Sequence, residues 1–335
     1  MAANPKLPMM SGSVQGQYHA YHAEAYILRG ELEHPIKQPI QEYGRVVLEQ
    51  TRRESLITQS VGETNIEGLI SFKRGHTRVA GTQAKHKTDL FGHDHAGFVT
   101  LSTGAIEGYN VEDIITADGV VAQISTEHPM TNGDVPRVNF IGTRFDNLRV
   151  GGYPVEVELD LGICGPKPDN DRHYLLDRNF LDSVHRQLDS FVEAEDLPES
   201  MEKDYDAKIA YIDDLKKRAK EESARVVPDD RNGYPKLRFS LVKKIKPIPL
   251  PGVRTFGNHI FIPNFGTVAL AEVEVGMSAG HANFPHREGD RPPAPPSASN
   301  YFTLDMLKMR LGCPVQGNTS AASAKANGQN GPLSK

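Results

Sequence analysis

The chain has 335 residues, with 38 Lys plus Arg against 43 Asp plus Glu. Its net charge of −5 excludes the broad basic face that nucleic acid or an anionic membrane surface demands. Hydrophobic residues make up 38%, a low share but enough for a sizeable core in one large or two ordinary domains. Two cysteines, Cys164 and Cys313, exclude a disulfide framework; they read as reduced thiols at strand ends, with a single bridge between them as the alternative.

Residues 1–17 are expected to be disordered, and they lack the apolar core of a secretory signal. Over residues 23–32, Ala23, Ala25 and Ile27 alternate with Glu24, Tyr26 and Leu28 as in a strand. Short strands follow at 46–48, 69–72 and 98–102. Asp118-Gly119 then introduces a β-branched strand at 120–126, and Asn132-Gly133 leads to another at 137–141. Residues 145–150 and 155–160 flank Gly151-Gly152, predicting a hairpin with Val155, Val157 and Leu159 facing the core.

The character changes between 171 and 224. Leu176, Phe180, Val184, Leu188 and Phe191 form one helical stripe. Met201, Tyr205, Ile209, Ile212 and Leu215 form a second, with the break at Leu197-Pro198. Strands resume at 237–242, 259–262 and 267–275. The run 247–251 is too proline-rich for anything but an extended edge. A proline-rich loop spans 276–300, residues 301–311 read as the closing strand, and the small polar tail reads as low-complexity and mobile.

One near-repeat stands out. Asn65-Ile66-Glu67-Gly68-Leu69-Ile70-Ser71 returns as Asn110-Val111-Glu112-Asp113-Ile114-Ile115-Thr116, and each copy runs on to a Val-Ala step. Self-similarity of this kind predicts one β unit used twice and stacked on itself. The expected fold is mainly β, an antiparallel sandwich or stacked short-strand β domain with an inserted α-helical hairpin. It divides into a disordered N-terminus (1–17), a first β block (18–165), the helical hairpin insertion (166–230), a second β block completing the same domain (231–317, with the loop 276–300), and a disordered tail (318–335). The hairpin is read as a projection that the β core does not need.

The runs 108–122, 145–152 and 260–270 resemble the turn-and-strand steps of bacterial choice-of-anchor domains, uncharacterised β domains that accompany surface-sorting tails. The resemblance covers about half of the chain. It implies an all-β fold and a surface or extracellular location, and it brings no catalytic residues. It meets no signal peptide, no anchor and no run of 18 apolar residues here, so the chain as written reads as cytoplasmic with no membrane span.

Chemistry-bearing residues cluster in one place. His86, His93, Asp94 and His95 lie within ten residues, a nitrogen and oxygen set that zinc or copper accepts; the competing reading is a polar connection between strands. His19 and His22 are three apart in an extended segment, which puts them on opposite faces. The carboxylate pairs Glu156/Glu158 and Glu272/Glu274 read as solvated strand faces. No phosphate loop, nucleophile elbow or His-Glu-x-x-His helix occurs, so no catalytic residue is assigned. The sequence therefore predicts a non-enzymatic structural or interaction protein, with a protein partner or self-association and no cofactor. The alternative is metal or small-ligand binding through the His-rich segments, and an enzyme of unknown class ranks third.

Overall fold

A computed structural model of the chain describes residues 19–34, 37–51, 53–88, 94–129, 135–169, 172–193, 197–220, 235–278, 299–312 and 316–330. The first strands are β1 (His19–His34), β2 (Gln38–Tyr43), β3 (Val46–Thr51), β4 (Ser55–Val61), β5 (Thr64–Ile66) and β6 (Ile70–Phe72). Three long strands follow, β7 (Arg74–Thr88), β8 (Asp94–Val111) and β9 (Ile115–Pro129). After them come the short β10 (Arg137–Asn139), β11 (Arg144–Asp146), β12 (Arg149–Val150), β13 (Tyr153–Pro154) and β14 (Val157–Leu159). Helices α1 (Arg178–Val192) and α2 (Glu199–Arg218) precede β15 (Lys236–Ser240), β16 (Val242–Ile245), β17 (Arg254–Phe256) and β18 (His259–Ile262). The chain ends on β19 (Gly266–Ser278), β20 (Ser299–Leu311) and β21 (Gln316–Asn330).

These strands build an antiparallel sandwich. One sheet has nine strands in the order β17-β18-β19-β20-β21-β1-β2, with β15 extending the β19 edge and β3 the β1 edge. The other has ten strands and is centred on β7, β8 and β9. The second sheet comes wholly from residues 55–154, whereas the first joins β1–β3 to β15 and β17–β21. The two β blocks are therefore one composite domain.

The near-repeat is a pair of two-residue hairpin turns. Glu67-Gly68 and Glu112-Asp113 both adopt positive φ, as type I′ turns require. The Asn65 and Asn110 side chains each accept a hydrogen bond, at 2.8 Å, from the backbone N–H three residues on. Gly151-Gly152 makes a third such turn. The three are laddered together: Glu112 N–H donates to the Leu69 carbonyl, and Gly151 N–H donates to the Ile114 carbonyl. The Gly-Gly turn stands where predicted, but it joins only β12 and β13. Val157–Leu159 pairs instead with β16 in a separate two-stranded sheet.

The long strands change which side chains face inward partway along. In β20, Phe302, Leu304 and Met306 are buried, and then Leu307, Met309 and Leu311. The switch falls on a transverse row, Ile27–Ala322–Met306–Ala271, where the pairing ladder skips a step and Ala271 and Ala322 take positive φ. A residue in that conformation turns the pleat over, so the same strand presents the opposite parity beyond it. The facing sheet makes the same switch at Gly108 and Asp118.

The tail expected to be disordered is a central strand. β21 lies between β20 and β1, paired along its length with both, so β20 is not the closing strand. Its composition follows from where it lies. A Cβ on Gly104 of β8 would meet the Ser323 carbonyl oxygen at 2.5 Å and the Tyr26 carbonyl oxygen at 2.8 Å, so the sheets approach to main-chain contact. Only small side chains fit that seam, and Ala321, Ala322, Ala324 and Ala326 are all buried in it. The Ser102 hydroxyl bridges the seam, donating to the Glu24 carbonyl at 2.6 Å.

The helical hairpin breaks at Pro198 as expected, but it does not project. Phe180, Leu181, Val184, Leu188, Phe191, Tyr205, Ile212 and Leu215 belong to the same buried cluster as the strands. Phe180 packs edge-on between Tyr174 at 5.5 Å and Phe239 at 5.4 Å. The Gln187 amide donates to the carbonyls of Ser240 and Val242, which fixes α1 to β15 and β16. Residues 1–17, the Asn132-Gly133 and Asn232-Gly233 turns, most of the 276–300 loop, and the end of the tail lie outside the described residues.

Candidate functional site

Of the residues singled out for metal binding, His86 lies near the end of β7, and Asp94 and His95 open β8. The register pairs Thr88 with Asp94 and Lys87 with His95, so the backbone brings the three positions to one hairpin end; His93 lies outside the described residues. Among the described residues, no group of three or more His, Cys, Asp or Glu side chains could hold an ion. His19 and His22 separate as an extended segment requires. His19 is buried, stacked on Phe98 at 4.7 Å and tilted against His128 at 4.7 Å. Burial holds His128 well below its ordinary value, with the neighbouring His19 adding to the shift, so the ring is neutral. No sequence pattern marks this inter-sheet pair, because the two residues are 109 positions apart.

A groove of about 1020 Å³ lies on the outer face of the nine-stranded sheet, bounded on one side by the start of α2 at Pro198, Met201 and Asp204. Sheet register orders the residues of this face into rows. Tyr26, Ser323, Asp305 and Glu272 form one row, and Arg29, Ser320, Lys308 and Ala269 a second. Asn318, Arg310, Thr267, Phe261 and Arg254 form the third.

Most charges here are already partnered. Lys308 pairs with Glu272 at 2.6 Å, Glu42 with Arg45 at 3.0 Å, and Asp204 with Lys208 at 2.6 Å. Asp305 accepts hydrogen bonds from the hydroxyls of Tyr26, Ser320 and Ser323. Burial, then the Asp305 charge, pushes the Tyr26 phenol up, so it stays a donor. Burial alone would raise Glu274, but hydrogen bonds from Arg238 and Tyr301 outweigh it and hold the carboxylate low. His259 lies beside Tyr205 at 3.3 Å and is pushed down to about 4 by burial, with Lys208 adding to the effect. Arg254 lies over the rings of Phe256 and Phe261, at 5.2 and 5.5 Å. The Glu272/Glu274 pair is thus a half-buried network and not a freely solvated face, whereas Glu156 and Glu158 form exposed pairs with Lys246 and Lys243. The sequence signal for the groove was the run of charges at outward positions, hidden by the parity switch.

A second surface feature is β4. It pairs with β7 along one side only, and its residues are exposed or half-buried on both faces, with Leu56 61% and Ile57 38% exposed. None of its seven residues is charged. Cys164 is a buried free thiol raised by burial, and Cys313 lies outside the described residues.

A family model described as a domain of unknown function, DUF8256, matches residues 19–276. The chain belongs to the DUF8256 family. No curated protein and no solved structure matches it. The DUF8256 match runs from the first residue of β1 into β19, so it takes in the whole ten-stranded sheet and both helices, while β20 and β21 lie beyond it. No helix among the described residues of this DUF8256 member is long and apolar enough to cross a membrane.

Proposed function

We propose that this DUF8256 member is a non-enzymatic structural or interaction protein that self-associates through the open edge of β4. The observation that carries the reading is the uncharged edge strand Ser55–Val61, exposed on both faces and topped by Leu56 and Ile57. Sheet proteins ordinarily blunt such an edge with lysine, proline, a bulge or a covering element. β4 has none of these among the described residues. An antiparallel pairing of two copies about Thr58 sets Leu56 against Ser60 and Ile57 against Gln59, with no like charges opposed. The likeness to choice-of-anchor domains agrees with a structural role. Light scattering of the full chain across a concentration range tests the proposal: mass should rise toward two chains, and Leu56→Lys with Ile57→Lys should hold it at one. A single-chain mass at every concentration would remove the proposal.

A second reading, metal or small-ligand binding through the His-rich segments with zinc or copper, draws support from the convergence of the His86, Asp94 and His95 positions on one hairpin end. Elemental analysis tests it, together with the melting temperature in added zinc or copper. Bound metal or a raised melting temperature supports it; the failure of both removes it.

A further inference from the structure

We infer that the groove on the nine-stranded sheet binds an acidic oligosaccharide, a chain of sugar rings that carries carboxylates along its length. The first argument is charge complementarity. The four carboxylates that line the groove (Glu42, Asp204, Glu272 and Asp305) are held by cations or hydroxyls of the protein. The guanidinium groups of Arg254 and Arg310 have no carboxylate within ion-pair distance among the described residues. A planar guanidinium is shaped to take a carboxylate through two parallel hydrogen bonds, so two such groups on an otherwise balanced surface call for anions.

The second argument is spacing. Arg254 and Arg310 belong to one transverse row with Phe261 and Thr267 between them. Three strand steps at about 4.8 Å put their backbones about 14 Å apart. Arg254 lies over the Phe256 and Phe261 rings, and the strand that carries Thr267 still stands between it and Arg310. The arrangement suits two charges on one extended ligand better than a single phosphate or carboxylate.

The third argument is what the floor offers. The main-chain N–H and C=O groups of β18–β21 are used in the ladder, so a peptide laid over them has no backbone partners. The groove recognises through side chains alone: the Thr267 hydroxyl, the Asn318 amide, the Lys308–Glu272 pair, and the Phe261 ring, 37% exposed. A sugar ring presents hydroxyls at its rim and a C–H face that packs on an aromatic ring. The volume, about 1020 Å³, lies at the top of the range of about 300–1,000 Å³ typical of small-molecule pockets, with room for several rings.

The test is calorimetric titration of the full chain with an oligogalacturonate of five rings, its carboxyl-reduced counterpart, and a glutamate oligomer of equal charge. The account expects binding of the oligogalacturonate that weakens with added salt, with the reduced sugar and the peptide bound at least ten-fold more weakly. Arg254→Ala and Arg310→Ala should each weaken binding about ten-fold or more, as the loss of a charge-assisted hydrogen bond does. Phe261→Ala should weaken it as well. All three residues are exposed, and an unchanged melting temperature shows that each variant is folded; Arg310→Gln and Arg254→Lys serve if an alanine variant is not. Absence of binding at millimolar sugar overturns the inference, as does equal binding of the reduced sugar or the peptide, or equal binding by the folded double variant of Arg254 and Arg310. None of these results depends on β4, so self-association stands or falls separately.

Discussion

Replacing Gly104 with alanine puts a methyl group where the two sheets meet most closely. The added Cβ would stand 2.5 Å from the Ser323 carbonyl oxygen and 2.8 Å from that of Tyr26, against 3.4 Å or more in ordinary contact. The layers must therefore part by about 0.9 Å, the difference between 3.4 and 2.5 Å. The obstructing atoms are main chain in the central strands β21 and β1, so no side-chain rotation relieves them. Overpacking typically costs about 1–3 kcal/mol. A gap of 0.5–1 Å also forfeits about a quarter to a half of the dispersion energy of the atoms it separates. The expected loss is thus at the upper end, about 3 kcal/mol, a large part of the 5–15 kcal/mol typical of a folded domain. Urea unfolding measures it as a lowered midpoint with an unchanged slope. Gly62→Ala is the control: nothing lies within 4 Å of its added Cβ, and the position lacks positive φ, so stability should hold or rise by up to about 1 kcal/mol. Equal midpoints for the two variants would refute the main-chain contact between the sheets.

Three further outcomes follow from the same structure. A chain ending at residue 315 removes β21 from between β20 and β1 and should fail to fold, read by circular dichroism and limited proteolysis; a protease-resistant truncated protein would contradict the topology. Phe180→Ala empties the site between Tyr174 and Phe239 and should cost about 3–5 kcal/mol in urea unfolding, whereas a projecting hairpin would lose almost nothing. Burial keeps His128, His173 and His259 neutral, with His173 pushed down to about 3 and His259 to about 4. Below their ordinary value of 6.5, the unfolded chain takes up protons that the folded chain refuses. Stability is therefore complete above pH 6.5 and falls toward pH 4, by about 1.4 kcal/mol per pH unit for each histidine. Thermal melts from pH 7.5 to 4.5 measure the slope, and a flat profile would contradict burial of these rings.

What the sequence disclosed was local, and what it concealed was set by layer against layer. The Asn65 and Asn110 echo, the Gly-Gly step and the two helical stripes are legible because turn chemistry and a 3.6-residue period are written in neighbouring residues. The long strands were expected only as short segments, because glycines such as Gly75, Gly81 and Gly104 leave gaps in their side-chain pattern. In fact each lies where a Cβ would strike the other sheet, at Ile27, Tyr21 and Ser323. The parity switch at Met306 and Ala271 broke a period-two pattern that is regular on either side of it. The alanines of β21 had no apolar signature because the seam admits nothing larger. The groove residues Arg254, Phe261, Lys308 and Arg310 come from β17, β18 and β20, and only strand order aligns them. The His86, Asp94 and His95 positions could be named from their clustering, while the buried His19–His128 contact required the fold.

Amide hydrogen exchange along Ser55–Val61, compared between dilute and concentrated protein, tests most directly that this molecule works by joining to its own kind. Slower exchange of the outward-facing β4 amides at high concentration, abolished by Leu56→Lys with Ile57→Lys, is the predicted result. Rapid exchange of those amides at every concentration, beside protected β8 and β9, would contradict it.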